Sequence, residues 1–422
     1  MARVSLPTRF TPTSLPRSLA LLAIFALFFA CRPPTGRSFD DLQYPDPVSD
    51  VRTVQVGSVE VGYTDSGQGE QTLVLIHGLG SYLPVWKNNI PALAKDYRVI
   101  AIDLPGYGKS AKSNDFAYSM EFFAMVVQGV IEQLELGRPV LVGHSMGGQI
   151  AITHALRYPG RARALVLTSP AGLETFEDGE AKWLADAVDD DFTCKASPEA
   201  IHVRHAGNFY RMPTDARFMA EDRVSVIGGP EFPEYCRAVS RSVRAMLDEP
   251  VYDQLPEIEV PTLVLFGKAD ALIPNPFLHG GGTERLARRT VKRIPNAELV
   301  MLRKAGHIAQ FEQFDAWNEA VLSFLGKLPE PEAVPEQAPP AEPPSAEVAE
   351  PPAPEAGSPS ELDAPSDGGD SSEDPPADPD EDGEPTEAAD ERGASADADE
   401  GADAAAVPSE RGVARSAGGA VP

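Results

Sequence analysis

The chain has 422 residues, with 64 Asp or Glu against 36 Lys or Arg and a formal net charge of −28. The charge is lopsided: residues 330–422 hold 26 Asp or Glu and 3 Lys or Arg, so −23 falls there and the remainder carries only −5. No basic patch stands out, which argues against nucleic acid as a partner. The length allows two or three domains.

The first 31 residues read as a signal peptide. Arg3, Arg9 and Arg17 precede a 12-residue apolar run, residues 19–30. That run is too short for a comfortable membrane span and suits a signal-peptide core. It ends Phe28-Phe29-Ala30-Cys31, which resembles a bacterial lipobox, with Phe29 where a small or β-branched residue is usual. Cys31 is therefore expected to carry lipid and to anchor the protein in a bacterial envelope membrane. Ordinary signal-peptidase cleavage and an uncleaved N-terminal anchor are the alternatives. Residues 32–50, polar and proline-containing, read as a tether.

Residues 51–63 alternate apolar and polar side chains around Gly57-Ser58, the pattern of an antiparallel hairpin. Four apolar, β-branched runs follow at residues 71–76, 98–103, 139–142 and 164–167, and two more at 261–266 and 297–302. Residues 118–136, 149–158 and 314–324 have helical periodicity. Apolar strands alternating with helices imply a mainly parallel sheet covered on both faces. The rhythm breaks between 171 and 258, a stretch rich in aromatic and sulfur residues with no strong strand. It reads as a helical cap over the C-terminal edge of the sheet, since so long a connection has structure of its own. Residues 51–170 and 259–328 then form an α/β core. Residues 329–422, built from Pro, Ala, Ser, Gly and acids, lack the apolar surface to offset chain entropy and read as a disordered tail.

The chemistry centres on Gly143-His144-Ser145-Met146-Gly147, a G-x-S-x-G sequence between a strand and a helix. Gly143 and Gly147 permit the tight turn, which exposes the Ser145 hydroxyl at a helix N-terminus. Serine needs a base to take its proton. Of the seven histidines, His307 is best placed, on the loop after the last strand. Asp270, directly after the strand at 261–266, supplies the acid that fixes the imidazole tautomer. The backbone N–H groups of Met146 and Leu79 are the expected oxyanion hole. His77 and Gly78 shape that loop, His77 by hydrogen bonding. His144 is supporting, its backbone position directing it away from the base. Asp103 reads as a structural support for its glycine turn. His202 and His205 have loose metal-like spacing but no third ligand motif, so no metal site is assigned, and the chemistry needs no cofactor. Cys194 and Cys236, both in the cap and bound for an oxidising compartment, are expected to pair as a disulfide, two separate buried thiols being the alternative.

With these residues in view, the chain resembles the α/β-hydrolase superfamily, specifically its lidded serine hydrolases. His77-Gly78, Asp103-Leu104-Pro105-Gly106-Tyr107-Gly108-Lys109-Ser110, Gly143 to Gly148, the Gly267–Pro274 segment with Asp270, and Gly306-His307 match in order. The resemblance covers about residues 51–328 and includes esterases, carbon–carbon bond hydrolases, proline iminopeptidases and cofactor-free haloperoxidases. Epoxide hydrolases and haloalkane dehalogenases carry aspartate at the nucleophile position, so Ser145 argues against both. The expectation is an exported esterase acting on a small or medium carboxylic ester. Carbon–carbon bond hydrolysis or peracid formation on the same triad is the alternative, and a non-catalytic surface binding module is the alternative of another class. Oligomeric state is not legible.

Overall fold

The computed structural model describes residues 36–329. The expected signal segment with Cys31, and the acidic stretch beyond Pro329 expected to be a disordered tail, lie outside the described residues.

Eight strands form one sheet: β1 Arg52–Val56, β2 Val59–Ser66, β3 Thr72–Ile76, β4 Arg98–Ile102, β5 Val140–His144, β6 Ala164–Thr168, β7 Thr262–Gly267 and β8 Ala297–Leu302. Their spatial order is β1-β2-β4-β3-β5-β6-β7-β8. The β1–β2 and β2–β4 pairs are antiparallel, and every later pairing is parallel. Strands β3, β5, β6 and β7 are buried along their whole length. This is why they read as continuous Val, Leu and Ile runs rather than as alternating faces.

Helix α1 (Met120–Gln133) starts at Ser119, whose hydroxyl accepts the Phe122 N–H at 2.9 Å. Helix α2 (Met146–Arg157) follows β5 directly. Between β6 and β7 come five helices: α3 (Asp178–Ala187), α4 (Asp190–Cys194), α5 (Pro198–Ala206), α6 (Arg217–Ser225) and α7 (Phe232–Asp248). Helix α8 (Gly282–Thr290) joins β7 to β8, and α9 (Phe314–Leu325) closes the described fold. The Trp317 indole of α9 packs against Trp86, ring centroids 5.8 Å apart, and donates to the Thr168 hydroxyl at 2.8 Å. That bond anchors α9 beneath the end of β6. Cys194 at the end of α4 is joined to Cys236 in α7 by a disulfide, with Cα atoms 5.6 Å apart.

One expectation fails here. From residue 36 onward the segment before β1 is not a tether. Phe39, Leu42, Tyr44 and Val48 are all buried in the core. The Tyr44 hydroxyl donates to Asp103 Oδ2 at 2.7 Å, and the Arg37 N–H donates to the Ser225 carbonyl at 2.9 Å. The physical reason is the apolar side chain found every two to four residues along this polar stretch. Each stabilises the packed state by about 1.5–3 kcal/mol on full burial, enough to offset ordering a few residues.

Candidate active site

Ser145 sits between β5 and α2 with φ 54° and ψ −119°, a conformation that side chains rarely adopt. Such strain costs on the order of 1–3 kcal/mol and persists only where the surroundings enforce it. Here they do. The Ser145 N–H donates to the Thr168 carbonyl at 3.0 Å, and its own carbonyl accepts from Gly148 at 2.8 Å and Ala171 at 3.0 Å. Gly143 and Gly147 are pressed together inside the turn, where a Cβ on Gly143 would come within 2.3 Å of the Gly147 carbonyl oxygen. Gly78 abuts the serine itself: a Cβ there would lie 2.9 Å from Ser145 Cβ.

The loops after β7 and β8 bring Asp270 and His307 together. His307 Nδ1 donates to Asp270 Oδ2 at 2.9 Å, and both side chains are almost wholly buried. The other carboxylate oxygen, Oδ1, accepts the N–H groups of Leu272 at 2.9 Å and Ile273 at 3.2 Å. Burial alone would raise the Asp270 pKa, but the His307 partner and the two N–H donors outweigh it and hold the carboxyl below its ordinary value. An ionised Asp270 fixes the proton on His307 Nδ1 and leaves Nε2 as the free basic nitrogen.

His307 is held from two further sides. Its N–H donates at 2.7 Å to the carbonyl of Asn208, in the turn between α5 and α6. Its carbonyl accepts from His144 Nε2 at 3.0 Å. The His144 ring lies 5.0 Å from the His307 ring, centroid to centroid. His144 is therefore not directed away from His307; it props that residue's backbone. His144 is the last residue of β5, and this bond ties that strand end to the loop after β8. Burial, and next the neighbouring His307, lower the His144 pKa to about 3, so the ring is neutral near neutrality.

His77 makes two bonds that settle its tautomer. Nδ1 donates to the Gly78 carbonyl at 2.8 Å, and Nε2 accepts the Leu104 N–H at 2.9 Å. It thus braces the loop bearing Leu79 against the loop after β4. Among the described residues, neither the Leu79 nor the Met146 N–H donates to a protein acceptor. Asp103 is buried and not part of the site's chemistry. Its Oδ1 accepts the Leu83 N–H at 2.6 Å and its Oδ2 the Lys109 N–H at 2.8 Å. His205 bonds the Ala216 carbonyl at 3.1 Å. No group of three or more potential metal ligands occurs among the described residues.

Leu79, His144, Ser145 and His307 all line one cavity of about 1650 Å³, whose walls come largely from the five helices between β6 and β7. Three contributors escaped the sequence reading. Asn208 holds the His307 loop. Glu312 accepts the Gly306 N–H at 2.8 Å together with the Tyr210 N–H at 3.0 Å and the Arg211 N–H at 2.6 Å. Arg223 of α6 stacks its guanidinium over the Tyr235 ring at 4.8 Å and donates to the Gly80 carbonyl in the Leu79 loop. None carries a motif. Asn208 acts through its carbonyl, and Glu312 and Arg223 hold backbone groups of loops up to 143 residues away.

A family model described as alpha/beta hydrolase fold matches residues 71–314. A 2-hydroxy-6-oxononadienedioate/2-hydroxy-6-oxononatrienedioate hydrolase of Burkholderia vietnamiensis is 32% identical over 286 residues, covering 65% of this chain and 94% of that protein. A solved structure of a probable hydrolytic enzyme from Pseudomonas aeruginosa PAO1 gives a TM-score of 0.62 at 25% identity, with 69% of this chain and 99% of that one covered. A thermophilic esterase from Thermogutta terrifontis gives 0.55 at 26% identity, with coverage of 66% and 99%.

Proposed function

This chain belongs to the α/β-hydrolase fold family, and from that premise we propose that it is a serine hydrolase of small or medium carboxylic esters, working through Ser145, His307 and Asp270. The Ser145 hydroxyl attacks the ester carbonyl carbon while His307 Nε2 takes its proton. The Leu79 and Met146 N–H groups hold the oxyanion of the tetrahedral intermediate. His307 then protonates the departing alcohol, leaving an acyl group on Ser145. Water, deprotonated by the same His307, attacks that acyl-enzyme and releases the acid.

The observation that carries this reading is the buried Asp270–His307 pair at 2.9 Å beside the cavity that the strained Ser145 also lines. The cavity exposes more apolar than polar surface, which suits an acyl chain. A fluorophosphonate probe tests the nucleophile: covalent labelling, mapped to Ser145 and absent in Ser145→Ala, is expected. A folded wild-type protein that neither labels nor turns over any ester is the outcome expected of a binding module.

A second reading is carbon–carbon bond hydrolysis on the same triad, favoured by the 32% identity to the Burkholderia vietnamiensis hydrolase. Turnover of a vinylogous 1,5-diketone acid in preference to every p-nitrophenyl ester would favour it over ester hydrolysis.

Export and lipid attachment at Cys31 belong to the same proposal. Their support is the arginine-flanked apolar run ending in Phe28-Phe29-Ala30-Cys31. Palmitate labelling and detergent partitioning, both lost in Cys31→Ser, test it. A soluble, unlabelled product cleaved elsewhere would remove it.

A further inference from the structure

Residues 36–48 lie outside the stretch matched by the family model, which begins at residue 71. They nevertheless join the two parts of the molecule that enclose the cavity. At one end the Arg37 N–H donates to Ser225 at the end of α6, and the Ser38 hydroxyl donates to Glu231 Oε1 at 2.7 Å, just before α7. At the other end Tyr44 donates to Asp103, and Lys109 Nζ reaches the Asp40 carbonyl at 3.1 Å.

Between these attachments the segment turns Phe39 and Leu42 into the cavity wall. Both are buried, so neither ring nor isobutyl group swings free. The Phe39 ring is held by Tyr235, at a centroid distance of 5.2 Å, and by the Lys112 ammonium, 4.4 Å from its centroid. Tyr235 in turn lies 3.5 Å through its hydroxyl from the carbonyl of Gly80, the neighbour of Leu79. Phe39 is thus one ring removed from the loop proposed to hold the oxyanion. Tyr44 packs edge-on to Tyr82, ring centroids 5.3 Å apart, two residues further along that same loop.

We propose that residues 36–48 are a specificity element of the catalytic site, with Phe39 and Leu42 setting the depth of the pocket that receives the acyl chain. This rests on the ester-hydrolase reading above. A rigid aromatic ring and a branched aliphatic chain in a packed wall set a hard limit on length, because overpacking costs as much as a void. A chain that stops short of Phe39 leaves part of the wall unfilled. A longer one has to displace a ring already held by Tyr235 and Lys112. Discrimination of about tenfold or more per methylene at the limit follows from such a wall.

The test is the ratio of kcat/KM for a long p-nitrophenyl ester to that for the acetate, measured across the acyl series on the full chain. In Phe39→Ala and Leu42→Ala the ratio is expected to rise about tenfold, through a lower KM for the long esters. In Phe39→Trp it is expected to fall. Phe39→Leu and Leu42→Val perturb the same wall more mildly and give the reading if an alanine variant does not fold. A ratio that stays constant in the folded variants, or that moves the same way for Ala and Trp, overturns the proposal. So does a parallel loss on every ester, the signature of a merely structural segment. If wild type labels with fluorophosphonate yet the ratio is indifferent to residue 39, only this inference falls. If wild type neither labels nor hydrolyses any ester, the serine-hydrolase reading falls and takes this one with it.

Discussion

His144 Nε2 donates to the carbonyl of His307 at 3.0 Å, so the residue before the proposed nucleophile supports the backbone of the proposed base. The ring's other nitrogen, Nδ1, is buried without a partner. One bond therefore carries the whole interaction. Removing it is expected to loosen His307 rather than to change substrate binding. His144→Phe should lower kcat about tenfold with KM little changed, and His144→Gln should retain more activity if its amide reaches the carbonyl. An equal loss in both variants with a raised KM would assign His144 to substrate contact instead.

The triad prediction is more severe. Ser145→Ala and His307→Ala are each expected to cut ester turnover by about 10³-fold or more. Asp270→Asn keeps the shape but offers an amide where the imidazole N–H needs an acceptor, and should be nearly as damaging. Near wild-type rates in Asp270→Asn would show that another carboxylate serves His307.

Acid should destabilise the fold through its buried histidines. Burial lowers the pKa of His144 to about 3 and of His154 and His205 to about 4. The unfolded chain takes up these protons below about pH 6.5, while the native state refuses them until pH 3–4. Stability is thus complete above about pH 6.5 and falls as pH drops towards the folded values. A Tm that declines across that window, and declines less in His154→Gln, is expected. A Tm equally pH-dependent in the variant would acquit His154.

His279 has the opposite sign. Its Nδ1 meets Glu174 Oε1 at 2.6 Å and its Nε2 meets Glu180 Oε2 at 3.3 Å. Burial pulls its pKa down, but the two carboxylates prevail and hold it above the usual imidazole value. Its contribution is full below the ordinary value and is lost as pH rises through the raised one. His279→Gln should lower Tm more at about pH 6 than at about pH 9. The same loss at both would mean that the ring acts by packing alone.

Cys194 and Cys236 are 42 residues apart in sequence. Closing a loop of that size limits the unfolded chain by roughly 4 kcal/mol in the chain-entropy description. Reduction, or the double Cys→Ser variant, should lower the melting temperature while fluorophosphonate still labels Ser145. Loss of labelling at temperatures where the fold persists would place the bond in catalysis.

Much of this was legible in the chain because parallel strands buried on both faces leave a plain signature. The runs at 72–76, 140–142 and 262–266 stand out by their Val, Leu and Ile residues. The three proposed catalytic residues were legible because each lies shortly after a strand, β5, β7 or β8. Residues 36–48 read as a tether because Pro45, Pro47, Ser38 and three aspartates disguise Phe39, Leu42, Tyr44 and Val48. Their partners, Tyr235 and Asp103, lie 196 and 59 residues away. His144 was misdirected for a related reason: a strand's alternation says which face a side chain takes, not which distant loop comes to meet it. Asn208 acts through its carbonyl, a group every residue has, so composition could not mark it.

That same carbonyl limits how this enzyme can be re-engineered. Asn208 accepts from both His307 at 2.7 Å and Ile308 at 3.2 Å, and a Cβ on Gly306 would intrude to 2.6 Å from it. The helical segment over the sheet is therefore not an interchangeable module. A chimera that imports the equivalent segment of a relative inherits a foreign turn against Gly306, and the imidazole next to it loses its register with Ser145. Transplants that retain residues 208–211 together with Glu312 preserve that register, so the practical boundary for recombination runs inside the cap, not at its ends.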